Sequence, residues 1–217
     1  MPASLIHLVR HGEVFNPDGV LYGRIPGFGL SELGHRMAAA AAESLAGREI
    51  SALYASPLQR AQESAAPWSK LFGLDIVTED RIIEPTNAFE GSVKMGPRVV
   101  LAPRSWKYLV NPFAPSWGEA FTSVESRMLA AVGDAYNSVE SGEVVMVSHQ
   151  MPIVMVARSV KGMKLWHDPR KRRCALSSIT TLALRDPQGP GQPRFVEVDY
   201  QEPARDLAAN SIDSGAV

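Results

Sequence analysis

Leu5-Ile6-His7-Leu8-Val9, followed at once by Arg10-His11-Gly12-Glu13, is the stretch around which the rest of the chain is read. A short run dominated by branched apolar side chains has the length and composition of a buried strand. The run stops abruptly in a guanidinium, an imidazole and a glycine, so a cation and a potential nucleophile stand at the mouth of that strand. His7, inside the run, is expected to be packed or hydrogen-bonded.

Working outward, Ser31 followed by Leu33, Met37, Ala40, Ala41 and Leu45 has helical spacing, closed by Gly47. Ala52–Ala55 reads as a strand. Ser56-Pro57 then offers an N-cap with proline at the first helical position, which puts Arg60 in a first helical turn. Ala61, Ala65, Trp68 and Phe72 form that helix's inward face and Gly73 stops it, while Pro67 is expected to bend or shorten it. Ile76-Val77 is a further strand.

Residues 84–118 have no clean period and hold Pro85, Pro97, Pro103, Pro112 and Pro115, which predicts an irregular lid segment. Lys94, Arg98, Arg104 and Lys107, interleaved with Trp106 and Tyr108, belong to it. The helical period returns at Phe121, Val124, Met128, Val132 and Ala135, with Thr122 and Glu125 at capping-box spacing. Val144–Val147 is a second buried strand, ending in Ser148-His149, and Pro152 opens the apolar helix Ile153–Val160. Ile179–Leu184 and Phe195–Val198 read as strands around the proline- and glycine-rich loop 186–193. Strands alternating with helices predict an α/β, three-layer helix/sheet/helix sandwich with a mostly parallel central sheet. Residues 1–200 form one domain on this reading, and 201–217 a flexible C-terminal tail.

A chain of 217 residues, 45% of them hydrophobic, is ample for one core. Its formal net charge of -1 argues against a general nucleic-acid or membrane-surface binder, because counterion release needs a concentrated positive face. The single cysteine, Cys174, excludes an internal disulfide and a paired-cysteine zinc site and suits a reducing compartment, so a cytoplasmic location is expected. No basic segment followed by an apolar stretch marks a signal or transit peptide, and no run approaches the roughly 18 apolar residues of a spanning helix. A metal site built from His7, His35 and His167 is not expected, and neither is a cofactor. His35 and His167 are read as surface residues. The run Arg170-Lys171-Arg172-Arg173 is read as a solvated loop, with guidance of an anionic substrate as the alternative.

In a parallel α/β sheet, ligands bind beyond the carboxyl ends of the strands, where Arg10-His11, Arg60 and His149 all fall. Two guanidiniums and two imidazoles in one cleft suit a tetrahedral dianion, so phosphate is the natural ligand. A neutral imidazole nitrogen can attack phosphorus in line, splitting the transfer into two steps, while the cations hold the equatorial oxygens. The leaving oxygen then needs a proton. Glu84, just after an expected strand and at the start of the irregular segment, can supply it.

These residues resemble the histidine phosphatase superfamily, the phosphoglycerate-mutase-like branch 1. Leu8–Glu13 is similar to its signature, Leu30-Ser31-Glu32-Leu33-Gly34 to the start of its first helix, and Ala55–Ala61 to its second arginine block. Glu84 with Phe89-Glu90-Gly91 resembles the acid segment, Trp117-Gly118-Glu119 the start of the third helix, and Val147-Ser148-His149 the second histidine block. The blocks run in family order from residue 5 to about residue 184. The resemblance implies that His11 is the phosphorylated nucleophile and Glu84 the general acid and later the base. It implies that Arg10, Arg60 and His149 form the phosphate pocket, with Asn16 and Arg24 as further substrate contacts.

Three functions follow from these residues. The leading one is a metal-independent phosphomonoester hydrolase that acts through a phosphohistidine on a small phosphorylated substrate. The second is a phosphoglycerate mutase-type isomerase using the same phosphohistidine; Gly23–Phe28 and Phe89-Glu90-Gly91 look more like the phosphatase branch. The third, a non-catalytic phosphate-binding module, needs neither His11 nor Glu84. Relatives of the family include monomers and dimers, so a homodimer is among the allowed states.

Overall fold

The computed structural model describes residues 2–91, 118–185, 194–209 and 211. Residues 92–117 of the expected lid and the loop 186–193 lie outside them. Six strands form one sheet in the order β3-β2-β4-β1-β5-β6: β1 (Leu5–Arg10), β2 (Ile50–Ala55), β3 (Ile76–Thr78), β4 (Glu143–Ser148), β5 (Ile179–Leu184) and β6 (Phe195–Gln201). β1, β2, β3 and β4 run parallel, whereas β5 and β6 are antiparallel additions on the β1 side. The sheet is mostly parallel, as the alternating pattern predicts.

Helices cover both faces. On one, Val9, Leu53, Ala55, Val145, Val147 and Ile179 meet Ala41 and Ala42 of α1 (Glu32–Glu43) and Ala61, Ala65 and Trp68 of α2 (Gln59–Phe72). On the other, Ile6, Leu8, Val144, Met146 and Leu182 meet α3 (Phe121–Asn137) and α4 (Gln150–Ser159) through Val124, Met128, Val132, Ile153 and Val156. Successive side chains of β1 and β4 thus enter opposite cores, and so both strands read as continuous apolar runs. All six residues of β4 are buried. His7 keeps its expected role: its Nε2 donates to Glu143 Oε2 at 2.8 Å, Nδ1 accepts from Thr181 Oγ1 at 3.0 Å, and Arg48 grips the same carboxylate.

Several helix ends depart from the sequence pattern. α1 ends at Glu43 with Ser44 as its cap, one turn before Gly47. α2 begins at Gln59 behind Leu58, without a side-chain cap, because the Ser56 hydroxyl is taken by His149. Pro67 does not interrupt α2, which reaches Gly73 in the left-handed conformation at φ 66. One missing hydrogen bond is outweighed where Ala61, Ala65 and Trp68 clamp both halves to the sheet. α3 starts after Ala120, so Thr122 and Glu125 lie inside the helix and form no capping box; Glu125 accepts instead from Ser159 Oγ of α4. Beyond β6, the segment expected as a tail begins with a short helix, α5 (Arg205–Ala208), and Ala204 is buried with Met37 and Leu176. Residues 210 and 212–217 of that segment are outside the described residues.

The entry to α1 is unusually tight. Ser31 Oγ caps it by accepting from Gly34 N at 2.9 Å and donates to Glu13 Oε2 at 2.5 Å. A Cβ on Gly12 would lie 2.4 Å from the Gly34 carbonyl oxygen, and one on Gly34 would lie 2.0 Å from that of Glu13. Both positions need glycine because backbone passes against backbone.

Candidate active site

In the sheet order, β4 lies between β2 and β1, so the carboxyl ends of three adjacent strands open side by side. β1 delivers Arg10 and then His11, whose N–H donates to Ser148 O at 3.1 Å. β4 delivers Ser148 and His149, which is the N-cap of α4. Ser56 follows β2, its N–H donating to Val147 O at 3.0 Å, and α2 then carries Arg60 in its first turn. Ser148 Oγ donates to Ile82 O at 2.6 Å and so ties the short 3-10 turn Asp80–Ile82 to β4, with Glu84 two residues beyond it.

Five sequence-selected residues are brought together here: Arg10, His11, Arg60, Glu84 and His149, each 4% exposed or less. The two imidazoles have ring centroids 5.2 Å apart and are tilted by 60°. His11 Nδ1 donates to the Gly12 carbonyl at 2.7 Å, which fixes the tautomer and leaves Nε2 as the bare lone-pair nitrogen. His149 Nε2 lies 2.7 Å from Ser56 Oγ, while its Nδ1 faces Glu84 Oε2 at 3.8 Å with no hydrogen bond. Arg10 donates to Cys174 O at 2.8 Å. Arg60 donates to Gly23 O at 2.8 Å and lies over the Tyr22 ring at 4.7 Å, its Nε buried without a partner. Two buried guanidiniums are therefore oriented by main-chain carbonyls and an aromatic face.

Burial, reinforced by Arg60 and Arg10, holds the His11 imidazole well below its ordinary 6.5. His149 is lowered in the same direction by burial, Arg60 and His11. Glu84 moves the other way. Burial pushes its carboxyl from 4.5 to about 7, against the opposing pull of Arg60, Arg10, Arg172 and Arg127. The site thus holds neutral imidazoles and a carboxyl able to carry a proton near neutrality, the separation of roles that acid-base chemistry requires.

Arg24 sits at the rim, half-buried: Nε donates to the Glu84 carbonyl at 2.5 Å and Nη2 lies 3.5 Å from Glu119 Oε2. The Asn16 amide is bonded both ways to the Val20 main chain, at 2.9 and 3.0 Å. Sequence reasoning missed Ser56 and the Glu119–Arg127 pair. Arg127 binds Glu119 through Nε at 2.9 Å and donates to the Arg81 carbonyl, fixing the approach to Glu84. A small polar residue directly after a buried strand is the signal that could have picked out Ser56. Among the described residues no cluster of His, Cys, Asp or Glu is disposed to hold a metal ion, and no helix is long and apolar enough to cross a membrane.

Comparison with known proteins agrees with this arrangement. The chain is 48% identical over 200 residues to the uncharacterized protein Rv0525 of Mycobacterium tuberculosis, covering 92% of this chain and 96% of the relative. It is 28% identical over 162 residues to phosphoserine phosphatase 1 of Hydrogenobacter thermophilus, covering 73% and 76%. Among solved structures, the mycobacterial glucosyl-3-phosphoglycerate phosphatase superposes with a TM-score of 0.72 at 21% identity, over 90% of this chain and 97% of that one. The histidine phosphatase superfamily (branch 1) profile matches residues 6–192. With six-stranded sheet, strand-end histidines and profile in agreement, the chain belongs to the histidine phosphatase superfamily, branch 1.

Proposed function

We propose that the protein is a metal-independent phosphomonoester hydrolase that works through a phosphohistidine on a small phosphorylated substrate. The observation that carries this reading is the fixed His11 tautomer: Nδ1 is committed to Gly12 O, so Nε2 keeps its lone pair on an imidazole that faces the charges of Arg60 and Arg10 and lies beside His149. Arg10, Arg60 and the two imidazoles bind the phosphoryl oxygens. His11 Nε2 attacks phosphorus and forms the P–N bond as the ester P–O bond breaks. Glu84, raised to about 7, gives its proton to the departing oxygen. The resulting carboxylate then takes a proton from water, whose oxygen attacks phosphorus, breaking the P–N bond and releasing inorganic phosphate with His11 restored.

Arg24, held across the rim between Glu84 and Glu119, is the residue of the set that meets the leaving group. Asn16 gives one amide N–H to Val20 O and accepts from Val20 N, and its second N–H is the donor it can offer to a substrate. Buried Cys174 is compatible with the reducing cytoplasm as the working compartment. The test is hydrolysis of 4-nitrophenyl phosphate in the presence of chelator, with acid-quenched enzyme examined for phosphohistidine. Turnover and a phosphorylated His11 that both vanish in His11→Ala are expected. Full activity in His11→Ala overturns the nucleophile, and conversion of 3-phosphoglycerate to its 2-isomer faster than phosphate appears overturns hydrolysis in favour of a mutase.

A further inference from the structure

In the basic run Arg170-Lys171-Arg172-Arg173, the first, second and fourth residues are exposed, as expected of a solvated loop, and Arg172 is half-buried. The run wraps the C-terminal half of α4 and lines two cavities. One, of about 190 Å³, is bounded by Arg158 of α4, by Lys161 just beyond its end, and by His167, Lys171, Arg172 and Arg173. The other, of about 380 Å³, shares Lys171, Arg172 and Arg173 and extends past Gln150 to Cys174. Gln150 follows His149, and the Cys174 carbonyl is the acceptor that orients Arg10. The larger cavity therefore adjoins residues that build the phosphoryl pocket, and the smaller one meets it through the shared Lys171, Arg172 and Arg173.

The charge balance of the smaller cavity is positive. Glu197 is the carboxylate that answers Lys161 and Arg173. Arg158 spends its guanidinium on the carbonyls of Lys164 and Trp166, and Lys171 shares the nearby Asp168 carboxylate with Arg170, which grips it directly. Arg172 donates to His167 Nε2 at 3.0 Å and to Gln150 Oε1 at 3.1 Å. It also pulls on the Glu84 carboxyl, so its charge is felt inside the catalytic cleft. His167 is held below 6.5, by burial first and then by Arg172 and Arg158, and accepts from Arg172 as a neutral ring.

We propose that this cavity is a second anion subsite, continuous with the phosphoryl pocket through Arg172 and Gln150, and that the substrate is a phosphomonoester carrying a second anionic group, a carboxylate or another phosphate. The cavity is smaller than the roughly 300 Å³ at which drug-sized ligand pockets begin, which suits one anionic group on a tether. Arg158, oriented by main-chain carbonyls, keeps its full charge for a ligand. This inference rests on the hydrolase reading above.

The test compares matched substrates that differ by a distant carboxylate, 3-phosphoglycerate against glycerol 3-phosphate and 6-phosphogluconate against glucose 6-phosphate. 4-Nitrophenyl phosphate serves as the substrate without a second anion. Wild type is expected to prefer the carboxylated member of at least one pair in kcat/KM. Exposed Lys171→Glu is expected to shrink that preference about tenfold, chiefly through KM, with 4-nitrophenyl phosphate turnover unchanged. Lys171→Ala should give a smaller loss in the same direction. No preference in either pair, or a preference that survives both variants, overturns the subsite. So does sulfate altering 4-nitrophenyl phosphate turnover in a Lys171-dependent way without competing with substrate, since that marks an independent effector site. If 4-nitrophenyl phosphate is not hydrolysed at all, the hydrolase reading fails, and the same pairs compared by ligand-induced thermal shift still decide the subsite.

Discussion

Replacing Glu84 by glutamine separates what the carboxyl does for chemistry from what it costs the fold. The side chain is 4% exposed, its Oε1 is buried without a partner, and burial raises its ionisation from 4.5 to about 7. A carboxyl raised in the folded state stabilises fully below pH 4.5, where both states are protonated, and that contribution is lost as pH rises through about 7. At 1.36 kcal/mol per pH unit, the ionised form costs the fold about 3 kcal/mol above pH 8. Glu84→Gln mimics the protonated side chain and escapes that cost. For a domain of this size it should gain about 6–12 °C in Tm over wild type on going from pH 4.5 to pH 8.5. Urea unfolding of both proteins at the two pH values gives the same quantity as free energies. Turnover should meanwhile fall by a factor of about 100 to 10,000, with loss of the wild-type alkaline limb near pH 7. A stability difference between wild type and variant that is flat with pH would refute the placement of Glu84 as a buried proton donor.

Arg60→Lys keeps the charge but loses the bond to Gly23 O and the contact over Tyr22; kcat/KM is expected to fall roughly 10- to 100-fold, measured against 4-nitrophenyl phosphate, with the fold intact by circular dichroism. Ser177 sits at φ 54 with its hydroxyl buried and unpartnered, while its N–H donates to His11 O. Ser177→Gly relieves the left-handed backbone and the orphaned hydroxyl together, and urea denaturation should show a gain of about 1 kcal/mol. A loss of stability would show that the local backbone entropy outweighs the strain. Gly34→Ala drives a methyl into the Glu13 carbonyl and should cost about 3 kcal/mol or more, with activity falling in parallel because His11 is carried on the displaced loop.

The strands were legible because β1 and β4 are buried on both faces, which leaves an apolar run with no polar interruption except His7. The inward face of α2 was equally plain, since Ala61, Ala65 and Trp68 recur at helical spacing and all reach the core. Helix starts were less so. Ser56 and Glu125 have the right residue types for caps, but tertiary partners claim both side chains, His149 and Ser159 respectively, and local spacing carries no information about groups so far along the chain. The same reason hid Arg127, whose partners Glu119 and Arg81 come from other segments. Of the site, the five residues at or near strand ends could be chosen by chemistry and by family pattern. Asn16 rests on the family pattern alone, and its bonds to the Val20 main chain are of a kind that spacing does not reveal. The sequence could not show that Arg172 would leave the basic run to sit beside Gln150.

The contact between Gly12 and Gly34 has a consequence for how this protein can vary. What each missing methyl would strike is a main-chain oxygen, so no trimming of a neighbouring side chain elsewhere could make room for it. A change at either position has no compensating partner, and the first helix cannot be exchanged independently of the loop that carries His11. In recombination or design, residues 11 to 34 move as one inheritable block, and grafts that cut between them should fail even when both halves come from active enzymes.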